Sequence, residues 1–232
     1  MARPRLHDAA LRDRLLDLAS REVAAHGEAA LSVRSLASAA GTSPSAVYTL
    51  FGGRDALLAA VSAEGFARFA DHLARAPRTS DAEGDLTALG LAYRSFALTA
   101  PHYYAVMFAH GVRPDPAQPD PRAQPTFRAL SDAVARIAPD APRDALADTA
   151  STLWGLVHGL VSLELAGLLP GTRAERDARY AAALGAAGPG LLSGGTTNGA
   201  GPANRSDAVD GDQEVRPRRP PGRSSGGDAT DG

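Results

Sequence analysis

The sequence predicts an all-α fold, and three observations support this prediction. Apolar residues recur at intervals of three and four over most of residues 8–187, which is the period of an amphipathic helix. Strict alternation of apolar and polar residues, which would predict a β-strand, nowhere persists for five residues. Glycine and proline divide the apolar pattern into short stretches, as they do between helices.

The first three predicted helices are marked at their ends by individual residues. An amphipathic stretch over residues 8–26 ends at a glycine. Ser32 is the expected N-cap of a second short helix, which Gly41 ends. Ser43 is the expected N-cap of a third helix with Pro44 at its first position, and this helix has only two turns.

Six further helices follow, each with apolar residues at helical spacing. Their predicted ranges are 54–76, 82–99, 101–108, 127–137, 142–169 and 174–187, with a proline-rich loop before the fourth of them. From residue 193 onward Gly, Pro, Ser, Asp and Arg dominate. Because such a segment cannot offset its ordering entropy by burial, a disordered tail is expected over residues 193–232.

Composition and motifs exclude several classes of protein. The 232 residues include no cysteine, and no histidine pair has a carboxylate at metal-ligand spacing, so no metal site is expected. No nucleophile elbow, phosphate loop or zinc-protease motif occurs, so neither an enzyme activity nor a cofactor is expected. The most apolar run contains His158 and Glu164 and is too short for a membrane span. With no secretory segment either, the expected location is the cytoplasm.

The second helix, Gly41 and the third helix together form a compact helix-turn-helix unit, whose later helix would enter the DNA major groove. Ala37 and Ala40 are small enough to let the two helices pack closely. Val47 is the apolar residue that anchors the later helix, which is the one expected to contact the bases. Gly41 suits the sharp connection because glycine tolerates positive φ. The net charge of −2 does not exclude DNA binding, since only a local cationic surface is needed.

Hydroxyl-bearing side chains dominate the outward side of this unit, and two arginines flank it. Hydroxyls bond base edges and phosphates, and arginine pairs well with phosphate. The candidate DNA-binding residues are Arg34, Thr42, Ser43, Ser45, Tyr48, Thr49 and Arg54. Two alternatives stay open: Tyr48 as a half-buried core aromatic, and Arg54 as a solvated arginine at a helix start.

Residues 31–61, LSVRSLASAAGTSPSAVYTLFGGRDALLAAV, resemble the DNA-binding segment of the tetracycline-repressor (TetR) family. The match includes an alanine four residues before the turn glycine and a tyrosine and a phenylalanine three residues apart. The resemblance implies that Tyr48 and Arg54 touch phosphates and that the hydroxyl residues lie at the groove. The family usually has glycine at Ser45 and an aromatic residue at Leu50, so the operator cannot be transferred from a relative. It usually has lysine at Arg54, and this third difference conserves charge and reach.

The C-terminal half resembles the same family over residues 153–169, LWGLVHGLVSLELAGLL, which look like a subfamily marked by Trp154, His158 and Gly159. The family has its ligand cavity on helices four to eight, where most aromatic residues of the chain lie. The candidate ligand-binding residues are Phe66, Tyr93, Phe96, Tyr103, Tyr104, Met107, Phe108, Trp154 and His158. For each of them, an ordinary place in the core is the alternative.

The predicted helix over residues 142–169 is apolar on two opposite faces and therefore needs two partners. Its own domain supplies one partner, and a second copy of the chain supplies the other in a four-helix interface. The candidate interface residues are Leu156, Leu160, Leu163 and Leu184.

These features divide the chain into a DNA-binding domain over residues 1–55, a ligand-binding and dimerisation domain over residues 56–192, and the tail. The predicted function is repression of transcription by a homodimer that binds double-stranded operator DNA. A small hydrophobic or aromatic effector would release the DNA. The alternative is a helical ligand-binding or scaffolding dimer with a vestigial DNA-binding head.

Overall fold

The computed structural model describes residues 4–108 and 124–194, and within these ranges the chain contains helices and no β-strand. The helices are α1 (Pro4–His26), α2 (Val33–Ala39), α3 (Pro44–Phe51), α4 (Arg54–Leu73), α5 (Ala82–Thr99), α6 (Pro101–Met107), α7 (Pro125–Ile137), α8 (Arg143–Leu165) and α9 (Arg173–Gly194). A short 3₁₀ turn, Glu28–Ala30, follows α1. The all-α prediction is confirmed.

Most helix ends lie where the sequence predicts them, and three features differ. The 3₁₀ turn after α1 was not predicted. Helix α8 ends at Leu165, four residues before the predicted end, and Gly167 then adopts the left-handed conformation with φ +70°. Helix α9 continues to Gly194, because helix propagation from an alanine-rich stretch outweighs the glycine and proline that predicted an end at Ala187. The proline-rich loop and the tail from residue 195 lie outside the described residues.

The first three helices, here called the head, enclose a small core of aliphatic side chains. Leu15 and Leu16 of α1 are fully buried beside Leu36 of α2 and Val47 of α3. The predicted caps are confirmed, since the Ser32 and Ser43 side chains accept hydrogen bonds from backbone amides three residues later. Local signals in the sequence thus determine where the helices of the head begin.

Helices α4 to α9, here called the body, pack around α5 and α8 and connect to the head through two helices. Helix α4 continues directly from α3, and α6 packs against both α1 and α4. At Gly65 the two helices α4 and α6 approach so closely that a β-carbon would lie 2.7 Å from Cγ of Met107. A larger residue at this position would make the Met107 side chain move, so Gly65 permits this close contact between the wall of the body and the helix that touches the head.

A buried charge network joins α5, α8 and α9 in the body. Arg94 donates two hydrogen bonds to Glu164, with N–O distances of 2.6 and 2.7 Å, and one to Asp177 at 2.6 Å. The side chains of Arg94 and Glu164 are each only 8% exposed. The hydrogen bonds from Arg94 hold the pKa of Glu164 below its usual value, so the pair is ionised inside the fold.

Candidate nucleic-acid interface and ligand cleft

The connection between α2 and α3 has the geometry of a helix-turn-helix. Gly41 adopts the left-handed conformation with φ +67°, and the Thr42 amide donates to the Ala37 carbonyl at 2.9 Å, which closes the turn. Val47 is fully buried between α3 and the rest of the head. The turn and this anchor together fix which side of α3 faces outward.

The outward side of α3 carries the predicted hydroxyl groups. Ser43, Ser45, Tyr48 and Thr49 are exposed, and Thr42 is half-buried. Tyr48 is 54% exposed, so about half of its side chain is accessible on this surface. Thr49 donates its hydroxyl proton to the Ser45 carbonyl at 2.9 Å, which leaves its oxygen lone pairs as acceptors on this surface. This side of α3 forms one continuous polar surface, called here the reading face.

The two candidate arginines are placed differently. Arg34 is exposed in the first turn of α2, and no described carboxylate forms an ion pair with it. Arg54, in contrast, donates from Nε to the Leu31 carbonyl at 3.1 Å and from Nη2 to the Glu28 carbonyl, while Nη1 contacts Asp55 at 3.3 Å. Arg54 is therefore not a solvated arginine, because its guanidinium holds the turn between α1 and α2 against the start of α4.

A cleft of about 1590 Å³ lies along α4 in the body, with walls from α5 to α9. Its apolar lining includes aromatic residues of α4, α5, α7 and α8 and of the C-cap of α6, which contact one another at ring-centroid distances of 5.0 to 6.5 Å. They are Phe66, Phe69, Tyr93, Phe108, Phe127 and Trp154. No group of three or more described acids and histidines is arranged to hold a metal ion. The cleft is larger than a typical small-molecule site of about 300–1,000 Å³, and its lining suits an apolar molecule.

The structure separates the nine predicted ligand-binding residues into three groups. Five line the cleft: Phe66, Tyr93, Met107, Phe108 and Trp154. Tyr104 and His158 line a shallower depression between α1, α6 and α8. Phe96 and Tyr103 line neither cavity and are 4% and 1% exposed, so the core alternative holds for these two.

Two aromatic residues of the cleft, Phe69 and Phe127, were not among the predicted site residues. The signal for Phe69 was its position three residues after Phe66 on the same helix face. Phe127 comes from α7, and its contact with Trp154 at a centroid distance of 6.0 Å joins residues that are far apart in the sequence. Spacing along the chain could therefore indicate Phe69, but it could not indicate Phe127.

Tyr93, Tyr104 and His158 form a hydrogen-bonded cluster at the back of the cleft. Nδ1 of His158 lies 3.0 Å from the Tyr93 hydroxyl and 2.8 Å from the Tyr104 hydroxyl, and the two hydroxyls are 3.2 Å apart. Burial lowers the pKa of His158 and raises the pKa of both tyrosines, so all three groups are neutral near pH 7. The cluster is the polar part of an otherwise aromatic wall.

Helix α6 connects this cluster with the head. Tyr104 belongs to α6, and two residues earlier His102 lies 3.2 Å from the Asp17 carboxylate of α1. Burial, together with the charge of Arg21, lowers the pKa of His102. One short helix thus contacts both the polar part of the cleft and the first helix of the head.

The predicted interface leucines do not share one environment. Leu163 is 42% exposed and Leu156 and Leu160 are half-buried, whereas Leu184 is 9% exposed and packs inside the protomer. A β-carbon at Gly90 would lie 2.9 Å from the Leu184 side chain, which shows how closely α5 and α9 pack there. Leu184 is therefore a core residue of the protomer, and the other three are the remaining candidates.

Comparison with known proteins gives the family. A model described as "Bacterial regulatory proteins, tetR family" matches residues 15–61, and one described as "Tetracyclin repressor-like, C-terminal domain" matches residues 86–187. The chain belongs to the TetR family. The first match contains the helix-turn-helix, and the second contains most of the cleft. The subfamily pattern of Trp154, His158 and Gly159 lies inside the second match but is not tested by it.

Curated relatives of this TetR-family chain are regulators. The HTH-type transcriptional regulator Rv1816 of Mycobacterium tuberculosis is 32% identical over 128 residues, and the same holds for its Mycobacterium bovis counterpart Mb1846. The match covers 53% of this chain and 55% of the relatives, so it spans little more than half of their length. The family and these relatives are regulators of transcription and not enzymes, as the sequence predicted.

Solved structures agree over a larger part of the chain. SCO4313, a candidate regulatory protein, is 28% identical with a TM-score of 0.65, and the match covers 81% of this chain and 98% of SCO4313. A Rhodococcus protein described as of unknown function is 30% identical with a TM-score of 0.62, and the match covers 79% and 94% of the two chains.

None of the helices that the structure describes combines the length and the apolar character that a membrane span needs.

Proposed function

We propose that this chain is a ligand-controlled repressor. As a homodimer, it would bind double-stranded operator DNA through the reading faces of two heads, and release it when an apolar or aromatic molecule occupies the cleft. The observation that carries the proposal is the presence, in one TetR-family chain, of an exposed hydroxyl-rich reading face and an aromatic cleft. Operator binding requires that the protein act in the cytoplasm, where bacterial DNA lies.

The reading face supports contacts to both bases and backbone. The hydroxyls of Ser45 and Thr49 lie near the start and middle of α3, and such groups bond base edges and phosphates. Tyr48 is long enough to reach phosphate, and Arg34 supplies charge from the neighbouring helix. We assign Arg54 to holding the turn after α1, because both backbone carbonyls that it contacts would lose their partner if it turned to phosphate.

Effector control follows from linkage between the cleft and the head. A molecule that binds more tightly to a conformation with another spacing of the heads shifts the population away from the DNA-bound form. Helices α4 and α6 line the cleft and also pack against head helix α1. A ligand in the cleft therefore acts on the helices that hold the head.

Dimerisation is proposed through the outward face of α8. Leu163 and Leu165, in the last turn of this helix, and Leu168, just after it, are 42%, 38% and 67% exposed. An apolar group of this kind on a helix of a TetR-family body suits a second copy of the same surface, since a twofold interface is self-complementary.

The salt dependence of DNA binding tests the assignment of the arginines. Arg34→Ala removes one proposed phosphate contact per subunit, so the slope of log K against log salt should fall in magnitude by about 2 per dimer. Arg54→Ala should leave the slope unchanged and instead lower the melting temperature. Fluorescence anisotropy of labelled promoter DNA at several salt concentrations measures both variants. A slope altered only by Arg54→Ala would reverse the two assignments.

The dimer is tested by charge in the proposed interface. Leu160→Glu with Leu163→Glu places two carboxylates per subunit in an apolar contact, which should cost several kcal/mol of association and give a monomer in sedimentation. Leu91→Glu is a matched control, because Leu91 is equally exposed at 42% but lies on α5. A dimeric double variant, or a monomeric control, would contradict the interface.

The scaffolding alternative is tested by the same anisotropy assay on the unmodified chain. Binding to its own promoter region, tighter than to unrelated DNA, supports the repressor. A chain that dimerises and binds ligands but retards no DNA would have a vestigial head.

A further inference from the structure

We infer that the cleft selects apolar or aromatic molecules that carry a hydrogen-bond donor, such as an alcohol, a phenol or an amine, and discriminates against carboxylates. This inference rests on the proposed function, in which the cleft is the effector site. It adds the chemical class of the effector to that proposal. Three observations carry it: the proton arrangement at the Tyr93 cluster, an unpaired carboxylate oxygen, and the charges along the cleft.

The first observation is how the cluster uses its protons. The hydroxyl oxygens of Tyr93 and Tyr104 both lie within hydrogen-bond distance of the same ring nitrogen of His158. Only the His158 tautomer with its proton on Nε2 leaves Nδ1 as an acceptor and so gives each hydroxyl proton a partner within the cluster. The Tyr104 hydroxyl, at 2.8 Å, is the closer donor to Nδ1, and Tyr93 can donate to Nδ1 or to the Tyr104 oxygen.

When Tyr104 donates to Nδ1 and Tyr93 donates to the Tyr104 oxygen, two lone pairs remain on the Tyr93 oxygen, and one is still free for a ligand if the Trp154 indole N–H takes the other. Tyr93 is also the member of the cluster that lines the cleft, whereas the other two line the shallower depression. The cluster therefore presents a hydrogen-bond acceptor to the cleft, whereas its two hydroxyl protons are used in hydrogen bonds within the cluster. A ligand completes the cluster by donating a proton to Tyr93, and a ligand with acceptors alone finds no partner there.

The second observation lies at the head end of the cleft. Oε1 of Glu28 is buried and has no hydrogen-bond partner among the described residues, and Glu28 lines the cleft. A buried carboxylate oxygen without a partner is costly, and a donor from a bound molecule would relieve that cost. The polar atoms available to a ligand at the Tyr93 cluster and at Glu28 are thus both hydrogen-bond acceptors.

The third observation is the charge of the lining. Among the described lining residues the acids are Glu28, Asp55, Asp81 and Glu83, and the base is Arg54. The guanidinium of Arg54 is already held by the Glu28 and Leu31 carbonyls and by Asp55, so it is not available to pair with a ligand carboxylate. The Arg54–Asp55 pair is neutral as a whole, so the charge that a ligand carboxylate meets among these residues comes from Glu28, Asp81 and Glu83. That charge opposes a carboxylate and does not oppose a neutral or cationic donor.

The test compares ligands that differ in one group. The full chain is dialysed to equilibrium against 2-naphthol, 2-methoxynaphthalene and 2-naphthoate, and against 1-decanol, decyl methyl ether and decanoate. On each scaffold the alcohol or phenol should bind about tenfold more tightly than the ether, and the carboxylate more weakly than both. Equal binding of alcohol and ether, tighter binding of the carboxylate, or no binding of either donor compound would overturn the inference.

Two tyrosine variants show whether Tyr93 makes the selection. Tyr93→Phe should reduce the difference between alcohol and ether to less than about twofold, because the acceptor is gone. Tyr180→Phe is the matched control: its buried hydroxyl donates to the Gly90 carbonyl at 2.8 Å and lines neither cavity, so the tenfold preference should persist. A preference that survives Tyr93→Phe would assign the selection to other residues and overturn the role of the cluster.

Because dialysis contains no DNA, the result is independent of the proposed repressor activity. If the donor compounds bind selectively but release no operator DNA, the ligand class stands and the proposed control of DNA binding fails. If the chain binds and releases DNA but prefers carboxylates, the repressor stands and the ligand class fails.

Discussion

The head and the body satisfy their polar side chains over very different distances in the sequence. In the head, Ser32 and Ser43 cap helices through amides three residues away, and Thr49 bonds a carbonyl four residues back. In the body, Arg94 pairs with Glu164, 70 residues away, and with Asp177, 83 residues away. The head is thus specified mainly by local bonds, and the interior of the body by bonds that form only when distant helices meet.

Arg54 joins the two regions through long-range bonds, as the contact between His102 and Asp17 also does. Its guanidinium belongs to the first residue of α4 and bonds carbonyls 23 and 26 residues earlier in the chain. The same residue lines the head end of the cleft. The long-range bonding typical of the body therefore extends into the head at the point where the two regions connect.

The largest expected effect is on the body. Arg94→Met leaves Glu164 buried without its main partner, which should lower the free energy of unfolding by about 3–5 kcal/mol. Urea unfolding measures the loss. The control in the head is Arg21→Met, whose ion pair with Asp17 is exposed and should change stability by less than about 0.5 kcal/mol. Similar losses in the two variants would break the contrast between the regions.

The same pair predicts a pH dependence. Since the hydrogen bonds from Arg94 lower the pKa of Glu164 in the folded chain, their stabilisation is complete above the usual glutamate pKa of 4.5 and is lost as the pH falls through the lowered value. Melting temperatures of the unmodified chain should fall in that acidic range. The melting temperature of the Arg94→Met variant should fall less steeply there. A parallel decline of the two melting temperatures would show that other groups cause the acid sensitivity.

A smaller effect is expected at a cap in the head. Ser43→Ala removes the side-chain acceptor for the Ala46 amide and should cost about 1 kcal/mol. Ser38→Ala, at an exposed position near the end of α2, should be neutral or slightly stabilising because alanine is the better helix former. Equal costs at the two serines would mean that the cap does not specify α3.

The smallest effect is expected at Tyr103 in the body. Its hydroxyl is buried without a described hydrogen-bond partner, while its ring packs 4.6 Å from the Arg68 guanidinium. Tyr103→Phe keeps the ring and removes only the unsatisfied group, so stability should change by less than about 0.5 kcal/mol or rise. A loss above about 1 kcal/mol would show that the hydroxyl has a partner.

This contrast explains which parts of the structure the sequence could predict. The caps at Ser32 and Ser43 and the turn at Gly41 depend on neighbours within a few residues, so the helix-turn-helix was predicted almost residue by residue. The pairing of Arg94 with Glu164 depends on the packing of α5 against α8, and no period in the sequence indicates it. For the same reason the bonds from Arg54 to the turn after α1 were not predicted, since its partners precede it by more than twenty residues.

The candidate site followed the same rule. Aromatic residues at helical spacing indicated a cluster, and five of the nine predicted ligand-binding residues line the cleft. Neighbouring residues of a helix point in different directions, so a shift of one position can move a side chain from the cavity to the core. Tyr103 and Tyr104 are adjacent in sequence, yet only Tyr104 bonds His158, and spacing alone could not separate them.

Trp154 is the single tryptophan of the chain, and it lies in the cleft wall with Phe108, Phe127 and His158 around it. Excitation at the red edge of indole absorption therefore reports on the body alone, since the head contains tyrosine and no tryptophan. The unlabelled protein carries an intrinsic optical probe at its cleft. Emission from Trp154 and anisotropy from labelled DNA can be followed in one cuvette, so that the arrival of a ligand and the departure of the operator are timed separately.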